Sequence, residues 1–388
     1  MAVAFMAPAA PAAAADLEEG QFSGEARNYG VFAGVGLLDN SVNARANIAE
    51  SVTVANSEGL SDYSGTGVGE FAVPGSIADD PEARAYSRAA PIGAGAIGIP
   101  VDVVNAESYS TTVQDVDEAS NDFGNLDIPL LGNLEGLTGA TSTTWTDEVL
   151  SNGGTVADSV TTTGDLNLIS GLGEEIPAPV PGLSDIFPVG SANLGQNTNE
   201  VRLVDNGSEQ CPGALGVETE ATWTFADVQL FGGQVGVSWG GESSGETGTI
   251  VASASGQPNG ASVDVSTMPS MAVVVGENEF VIEPGLGIEL SELLEGSSAE
   301  SLLDIIDGEL VYGGPTNFEE AADGTHASGT MGGLQGDLQL LSVPVVAPDG
   351  LGSLELGFER VDVAADVSQG GVNCTDDGGT PDGSADGV

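Results

Sequence analysis

The chain of 388 residues has no lysine. Its six basic residues are all arginine: Arg27, Arg45, Arg84, Arg88, Arg202 and Arg360. Against them stand 59 acidic residues, for a formal charge of −53. Six scattered guanidinium groups make no basic patch. Nucleic acid and anionic membrane surfaces are therefore excluded as expected partners, because both bind through clustered Lys and Arg. The chain also has only one histidine and two cysteines. That set cannot supply the four ligands of a structural zinc site. It leaves His326 as the sole imidazole for any proton-shuttle chemistry. No stretch reaches the ~18 to 20 apolar residues that a membrane-spanning helix needs.

What is present is a β composition. Hydrophobic residues make up 40% of the chain without counting its 58 glycines. An acidic disordered chain would be poor in Val, Leu and Ile; here they recur at strand-like spacing between Gly, Ser, Thr, Asn and Asp turn-formers. The fold expected is all-β, with β-sandwich-like antiparallel sheets and one short helix. A folded surface then carries dozens of carboxylates, whose repulsion is screened at higher ionic strength.

Met1 to Ala15 reads as the remnant of an export signal. Ala13-Ala14-Ala15 gives a small-residue cleavage pattern before Asp16, and the missing basic region places the true start upstream. In an exported protein Cys211 and Cys374 are expected to pair as one disulfide, the alternative being two buried thiols. Residues 16–125 read as an N-terminal β region and 126–375 as the main β region. Residues 376–388 read as a disordered acidic tail.

Within the main region, Thr141–Thr146 and Ser159–Thr163 are β-branched strands, with Ser151-Asn152-Gly153-Gly154 as a hairpin turn between them. Glu218–Leu230, Val235–Trp239, Thr249–Ser253, Ser262–Val265, Met271–Val275 and Glu279–Ile282 follow as strands. Ser298–Ile306 is the one helical segment, with Leu302, Leu303, Ile305 and Ile306 as its stripe. Leu354–Phe358 and Val361–Val367 are the last strands. Gly164-Asp165-Leu166-Asn167-Leu168-Ile169 is echoed by Gly336-Asp337-Leu338-Gln339-Leu340-Leu341. Each precedes a proline-bearing stretch and, later, a cysteine. The echo allows a duplicated β unit, over 126–211 and 280–375.

Candidate chemistry is weighed against blander roles. Gly241-Glu242-Ser243-Ser244-Gly245 matches G-x-S-x-G, and Asp304, Asp307 and His326 follow it in the chain order of an α/β-hydrolase triad. An elbow needs a strand before it and a helix after it; here another strand follows, so the segment reads as a hairpin loop. His326, in an Asp-Gly-Thr-His-Ala-Ser-Gly stretch, reads as a solvated loop residue. Among 59 acids, adjacent pairs such as Glu174-Glu175 carry no glycosidase signal. Calcium binding is expected to be diffuse, since neither an EF-hand loop nor a calcium-binding repeat occurs. Trp223 reads as core. Trp239 and Trp145 are the candidates for an exposed ligand platform, where an aromatic face stacks on a sugar ring.

The Ala-rich leader, the Gly/Ser/Thr/Val-rich body, and runs such as GDLQLLSVPVV and LELGFERVDVAADV precede a lone late Cys and an acidic Gly-rich tail. That order resembles the choice-of-anchor group of exported actinobacterial surface proteins, from Phe22 to Cys374. The group often carries an LPxTG-type sorting signal, and this chain has none. The resemblance implies a surface or secreted place and no known enzyme activity. The expected role is thus structural or adhesive at the cell envelope, without catalysis, with envelope components or glycans as partners. The alternative is a secreted carbohydrate-binding or carbohydrate-processing protein, which needs a concave site where Trp239 or Trp145 meets acids.

Overall fold

The computed structural model describes residues 17, 20–37, 42–63, 73–96, 99–100, 104–128, 132–168, 190–224, 227–239, 247–266, 268–297, 299–304, 306–340 and 352–374. In chain order its first strands are β1 (Phe22–Leu37), β2 (Val42–Asn56), β3 (Ala83–Ala96), β4 (Ile99–Pro100), β5 (Val104–Thr111), β6 (Val116–Ile128) and β7 (Gly132–Thr144). Then come β8 (Gly154–Leu168), β9 (Gly190–Asp205), β10 (Leu215–Thr224), β11 (Val228–Leu230), β12 (Val235–Trp239), β13 (Thr247–Ala254) and β14 (Ala261–Ser266). The last are β15 (Met271–Val275), β16 (Asn278–Ile282), β17 (Gly287–Glu289), β18 (Ile306–Glu320), β19 (His326–Leu340) and β20 (Gly352–Val367).

They form two antiparallel sheets. The first runs β17-β18-β19-β20-β1-β2-β3-β4, with β5 also paired to β3. The second runs β6-β7-β8-β9 and forks at β9. Residues 197–205 of β9 pair with β10, which leads on to β13 and β14; residues 190–192 pair with β11, which leads on to β12, β15 and β16. The sheets face each other almost strand for strand. β3 packs on β7 and β8, β2 on β8 and β9, β1 on β9 and β10, and β20 on β10 and β13. This is the aligned all-β sandwich that the composition implies. Alternation builds it: β10 and β13 bury every second residue against the other sheet.

The interior has two chemistries. Around Trp223, Trp239, Phe231, Tyr312 and Phe358 it is apolar. Between β2 and β8–β9 it is narrow and hydroxyl-rich. Ser51 Oγ and Thr161 Oγ1 lie 2.7 Å apart, and Thr53 Oγ1 and Ser159 Oγ 2.9 Å. Asn199 Nδ2 donates to the carbonyls of Ser51 (2.8 Å) and Ala26 (3.3 Å). Small side chains let the sheets approach closely enough for side chains to satisfy groups on the opposite sheet, which buried polar atoms require.

Among the described residues helices are few and short, but there are three rather than one: α1 (Gly75–Ala78), α2 (Asp147–Asn152) and α3 (Leu290–Leu294). The expected hairpin turn at 151–154 is in fact the end of α2. Thr146 Oγ1 accepts from the Val149 N–H as N-cap, Asp147 and Glu148 fill the first turn, and Gly153 ends the helix at φ 82°. The expected helix at 298–306 contracts to a 3-10 turn, Glu300–Asp304, because Ile306 is the buried first residue of β18. Residues 298 and 305 lie outside the described set.

β20 is one strand where the sequence reads as two. Glu359 has φ 58° and Ala49 φ 56°. The pairings Tyr29↔Glu50 and Val31↔Ile48, with Tyr29↔Arg360 and Val31↔Phe358, set Gly30, Ala49 and Glu359 level across β2, β1 and β20. Each strand carries one extra residue there. Leu356 and Phe358 point inward before it, and Val361, Val363, Ala365 and Val367 after it. The parity shifts while the buried face stays the same.

The expected boundary between residues 125 and 126 falls inside β6, which pairs along β7. The N-terminal strands share a sheet with the C-terminal ones through β1 and β20. The echoed segments end, up to Leu168 and Leu340, 15-residue strands, β8 and β19, while Ile169 and Leu341 lie outside the described residues. In both cases the next strand starts opposite the last residue, with Leu168 facing Gly190 and Leu340 facing Gly352.

One end of the sandwich is closed by loops. Cys211, between β9 and β10, is disulfide-bonded to Cys374 beyond β20, with Cα atoms 5.5 Å apart. Beside it Leu215 and Val372 exchange two backbone hydrogen bonds, of 2.8 and 2.9 Å, and Asn206 Nδ2 donates to the Gly370 carbonyl at 2.9 Å. Gly256 N–H donates to Gly324 O and accepts from Gly370 N–H through its own carbonyl, both at 2.8 Å. Gly324 holds φ +78° with its Cα turned onto the Gln257 backbone, so a Cβ there would run into the Gln257 carbonyl. Gly324→Ala is expected to cost on the order of 2–4 kcal/mol, from the left-handed backbone and the clash together. Urea unfolding measures it.

Candidate functional site

The outer face of the first sheet carries a row structure set by register. His326 faces Asp366, Asp366 faces Ser23, and Ser23 faces Asn56. The parallel rows behind it include Ser328, Ala364, Glu25 and Val54, then Thr330, Asp362, Arg27, Val52 and Arg88, then Arg360, Tyr29 and Glu50. On an ordinary sandwich such a face is wet. Here Glu25, Glu50, His326, Asp366 and Ser23 are all buried. Part of the cover comes from the segment after β2. Leu60, Val73 and Ala78 pack on Val52, Val54 and Tyr86, and Tyr63 hydrogen-bonds Ser23 and Asn56.

Charge in this buried patch is paired. Arg27 contacts Glu25, Arg88 reaches Glu50 at 3.3 Å, and Arg360 reaches Asp362 at 3.2 Å. Thr330 Oγ1 also donates to Asp362 at 2.7 Å. The remaining carboxylate, Asp366, is paired with His326: Nδ1 lies 2.7 Å from Oδ1. Ser23 Oγ donates to the other oxygen of Asp366 at 3.3 Å. Burial drives the Glu25 carboxyl above its ordinary range, against the pull of Arg27. The hydrogen bond to Asp366 raises the imidazole above its ordinary value, against desolvation. Three of the six arginines and the only histidine are thus gathered on one buried patch.

His326 is therefore not the solvated loop residue that its sequence context implies. It opens β19 and is 4% exposed. Its Nε2 lies 3.1 Å from Ser328 Oγ. Ser328, His326 and Asp366 stand in the hydrogen-bonded order of a nucleophile, base and orienting acid. Ser328, however, has no exposed surface. Ser243 of the G-x-S-x-G segment lies outside the described residues, as do 1–15 and 375–388.

The tryptophan platform is corrected. Trp239 is completely buried and packs edge-on against Tyr312, with centroids 5.0 Å apart. Trp145 is 9% exposed and stacks on Phe22 at 5.5 Å. Trp223 lies over Gly248, in space that a Cβ would fill. All three are core, so none presents a face to a sugar.

The rest of the described outer surface carries rows of acidic residues. Across the second sheet one row reads Glu118, Ser142, Asp158, Glu200, Glu220, Val251, Asp264. Arg202 sits among Glu200, Glu218 and Glu220. Desolvation raises the Asp158 carboxyl, Ser142 opposes that, and Glu200 and Glu118 add to it. On the first sheet Glu289, Glu309, Asp337 and Glu355 stand opposite one another on four successive strands. Glu289, Glu309 and Asp337 line a groove of about 260 Å³ with Asp307. Like charges so placed repel. Among the described residues no group of three or more His, Cys, Asp or Glu side chains is arranged to hold a metal ion. No helix among them is long and apolar enough to cross a membrane.

The fold defines an all-β sandwich protein with one cross-link. No family model matches the chain, and no curated protein matches it. Among solved structures, the outer membrane protein OpdK from Pseudomonas aeruginosa is 8% identical, over 90% of this chain and 99% of its own, with a TM-score of 0.13. At that score the similarity carries no argument about fold or function.

Proposed function

We propose that this chain is an exported protein, secreted or held at the cell surface, with a structural or adhesive role and no catalysis. The observation that carries the reading is the Cys211–Cys374 disulfide closing the capped end, since such cross-links persist in oxidising surroundings and are rare in the cytosol. The acidic outer rows support it. They suit a protein that works in salt, where repulsion is screened within about 8–10 Å, and they give nucleic acid or an anionic bilayer nothing to hold. The resemblance to choice-of-anchor surface proteins points the same way. Burial of Ser328 speaks against acyl transfer through the Ser328–His326–Asp366 arrangement, because a nucleophile must reach its substrate. Burial of Trp145 and Trp239 removes the feature on which the carbohydrate-binding alternative rested.

Fractionation of the producing cells tests this. The protein should appear in the medium or envelope fraction with both thiols unreactive to alkylation until reduced. Recovery from the cytosol with free thiols would sink the proposal.

A further inference from the structure

We propose that the His326–Asp366 pair is a pH-operated latch that holds β19 to β20 and β1 beside the capped end, closed when the imidazole is protonated and loosened when it is not. The geometry carries this. Each of the other three carboxylates in the buried patch is matched by an arginine: Glu25 by Arg27, Glu50 by Arg88 and Asp362 by Arg360. Guanidinium does not deprotonate in proteins. Among the described residues the positive partner of Asp366 is an imidazole, the one cationic group here that can lose its charge near neutral pH.

The groups facing the ring come from every neighbouring element. β20 supplies Asp366 at 2.7 Å and, further along, Asp362; β18 supplies the exposed Glu319 at 3.8 Å. Beyond β20, β1 carries Ser23 opposite Asp366 and, on the same face, Glu25 and Arg27. The turn at 61–63 supplies Tyr63, which responds to both Glu25 and Asp366. Asp323, exposed in the preceding loop, is taken up by Thr325. The anionic surroundings of the ring favour its cationic form. When protonated, Nδ1–H donates to Asp366 and Nε2–H to the Ser328 oxygen. When neutral, Nδ1–H still donates to Asp366, but the Ser328 hydroxyl must turn to donate to Nε2. Asp366 is then a buried carboxylate without a counter-charge, which low-dielectric surroundings penalise.

The sign follows from linkage. The folded-state value lies above the ordinary 6.5. The latch therefore contributes stability in full below that ordinary value, and loses it as pH rises through the folded value. Glu25, also raised, acts with the same sign, so the two must be separated.

A chain with a single histidine gives a single imidazole signal. NMR titration of the full native chain should place its midpoint above 6.5; a midpoint at or below 6.5 overturns the proposal. In urea unfolding from pH 6 to 9, the native midpoint should fall with pH. In His326→Gln that fall should shrink, in Glu25→Gln it should persist, and in the double variant His326→Gln with Glu25→Gln it should vanish. A slope unchanged by His326→Gln, or one that disappears in Glu25→Gln alone, also overturns it. If His326→Gln does not fold, the titration of the native chain decides.

Discussion

Arg27→Met is expected to destabilise the sandwich by about 3–5 kcal/mol, the usual cost of removing one partner of a buried ion pair. Arg27 is the counter-charge of Glu25 on β1 and stands opposite Asp362 of β20. Methionine keeps most of the side-chain length and its contacts, so the loss measures charge. Glu25 would remain buried, beside Asp362 and Asp366, which both oppose its ionisation. It must then take up a proton or drag the patch open to water. The penalty should therefore grow with pH. A carboxyl raised in the folded state adds stability below its ordinary value of 4.5 and loses it as pH climbs through the folded value. Without Arg27 that folded value moves higher, so the variant should be hurt more at pH 8 than at pH 5. Glu25→Gln combined with Arg27→Met should recover most of the loss, because a paired-off polar site needs no counter-ion. Urea unfolding of the two single variants and the double variant gives the coupling directly. A double variant no better than Arg27→Met would mean that the arginine acts through packing alone.

The strands were largely legible in the chain, because an inward-outward period of two survives translation into sequence. Val235–Trp239 and Met271–Val275 have the same bounds in the structure. Failure came where the period slips. Glu359 at positive φ inserts one residue, so β20 read as two runs. The pairing of β1 with β20 joins residues more than 300 positions apart, and no local pattern encodes it. The buried patch had a visible trace: Ser23, Glu25, Arg27 and Tyr29, like Arg360, Asp362 and Asp366, recur on one face of otherwise apolar strands. Such a stripe has the same pattern whether water or protein covers it. Only the packing of Leu60, Tyr63 and Val73 above it distinguishes the two. Trp239, a candidate for an exposed platform, is another such case: its place on β12 turns the ring toward Tyr312.

Cys211→Ser with Cys374→Ser should lower the stability by on the order of 4–5 kcal/mol, and the reason lies mainly in the unfolded chain. The cross-link spans 163 positions, so reduction frees a very long loop, and the entropy gained grows with its logarithm. The native end is held by other contacts as well. The Leu215–Val372 backbone pair and the Asn206 hydrogen bonds to Gly370 and Ser255 do not involve sulfur. The folded structure should therefore change little, with near-ultraviolet circular dichroism close to native. With an unfolding entropy of roughly 2.1 cal/mol/K per residue, the thermal midpoint should fall by about 6 °C. The urea m-value should rise, because an unbridged unfolded chain exposes more surface. Single replacements should match the double one, since either breaks the same bond. The effect bears on place as well as stability. A very acidic sandwich that repels itself gains most from a restraint on its unfolded state when it must persist unattended in an oxidising medium. A double variant as stable as the native chain would show that the cap, rather than the covalent bond, holds the two sheets together.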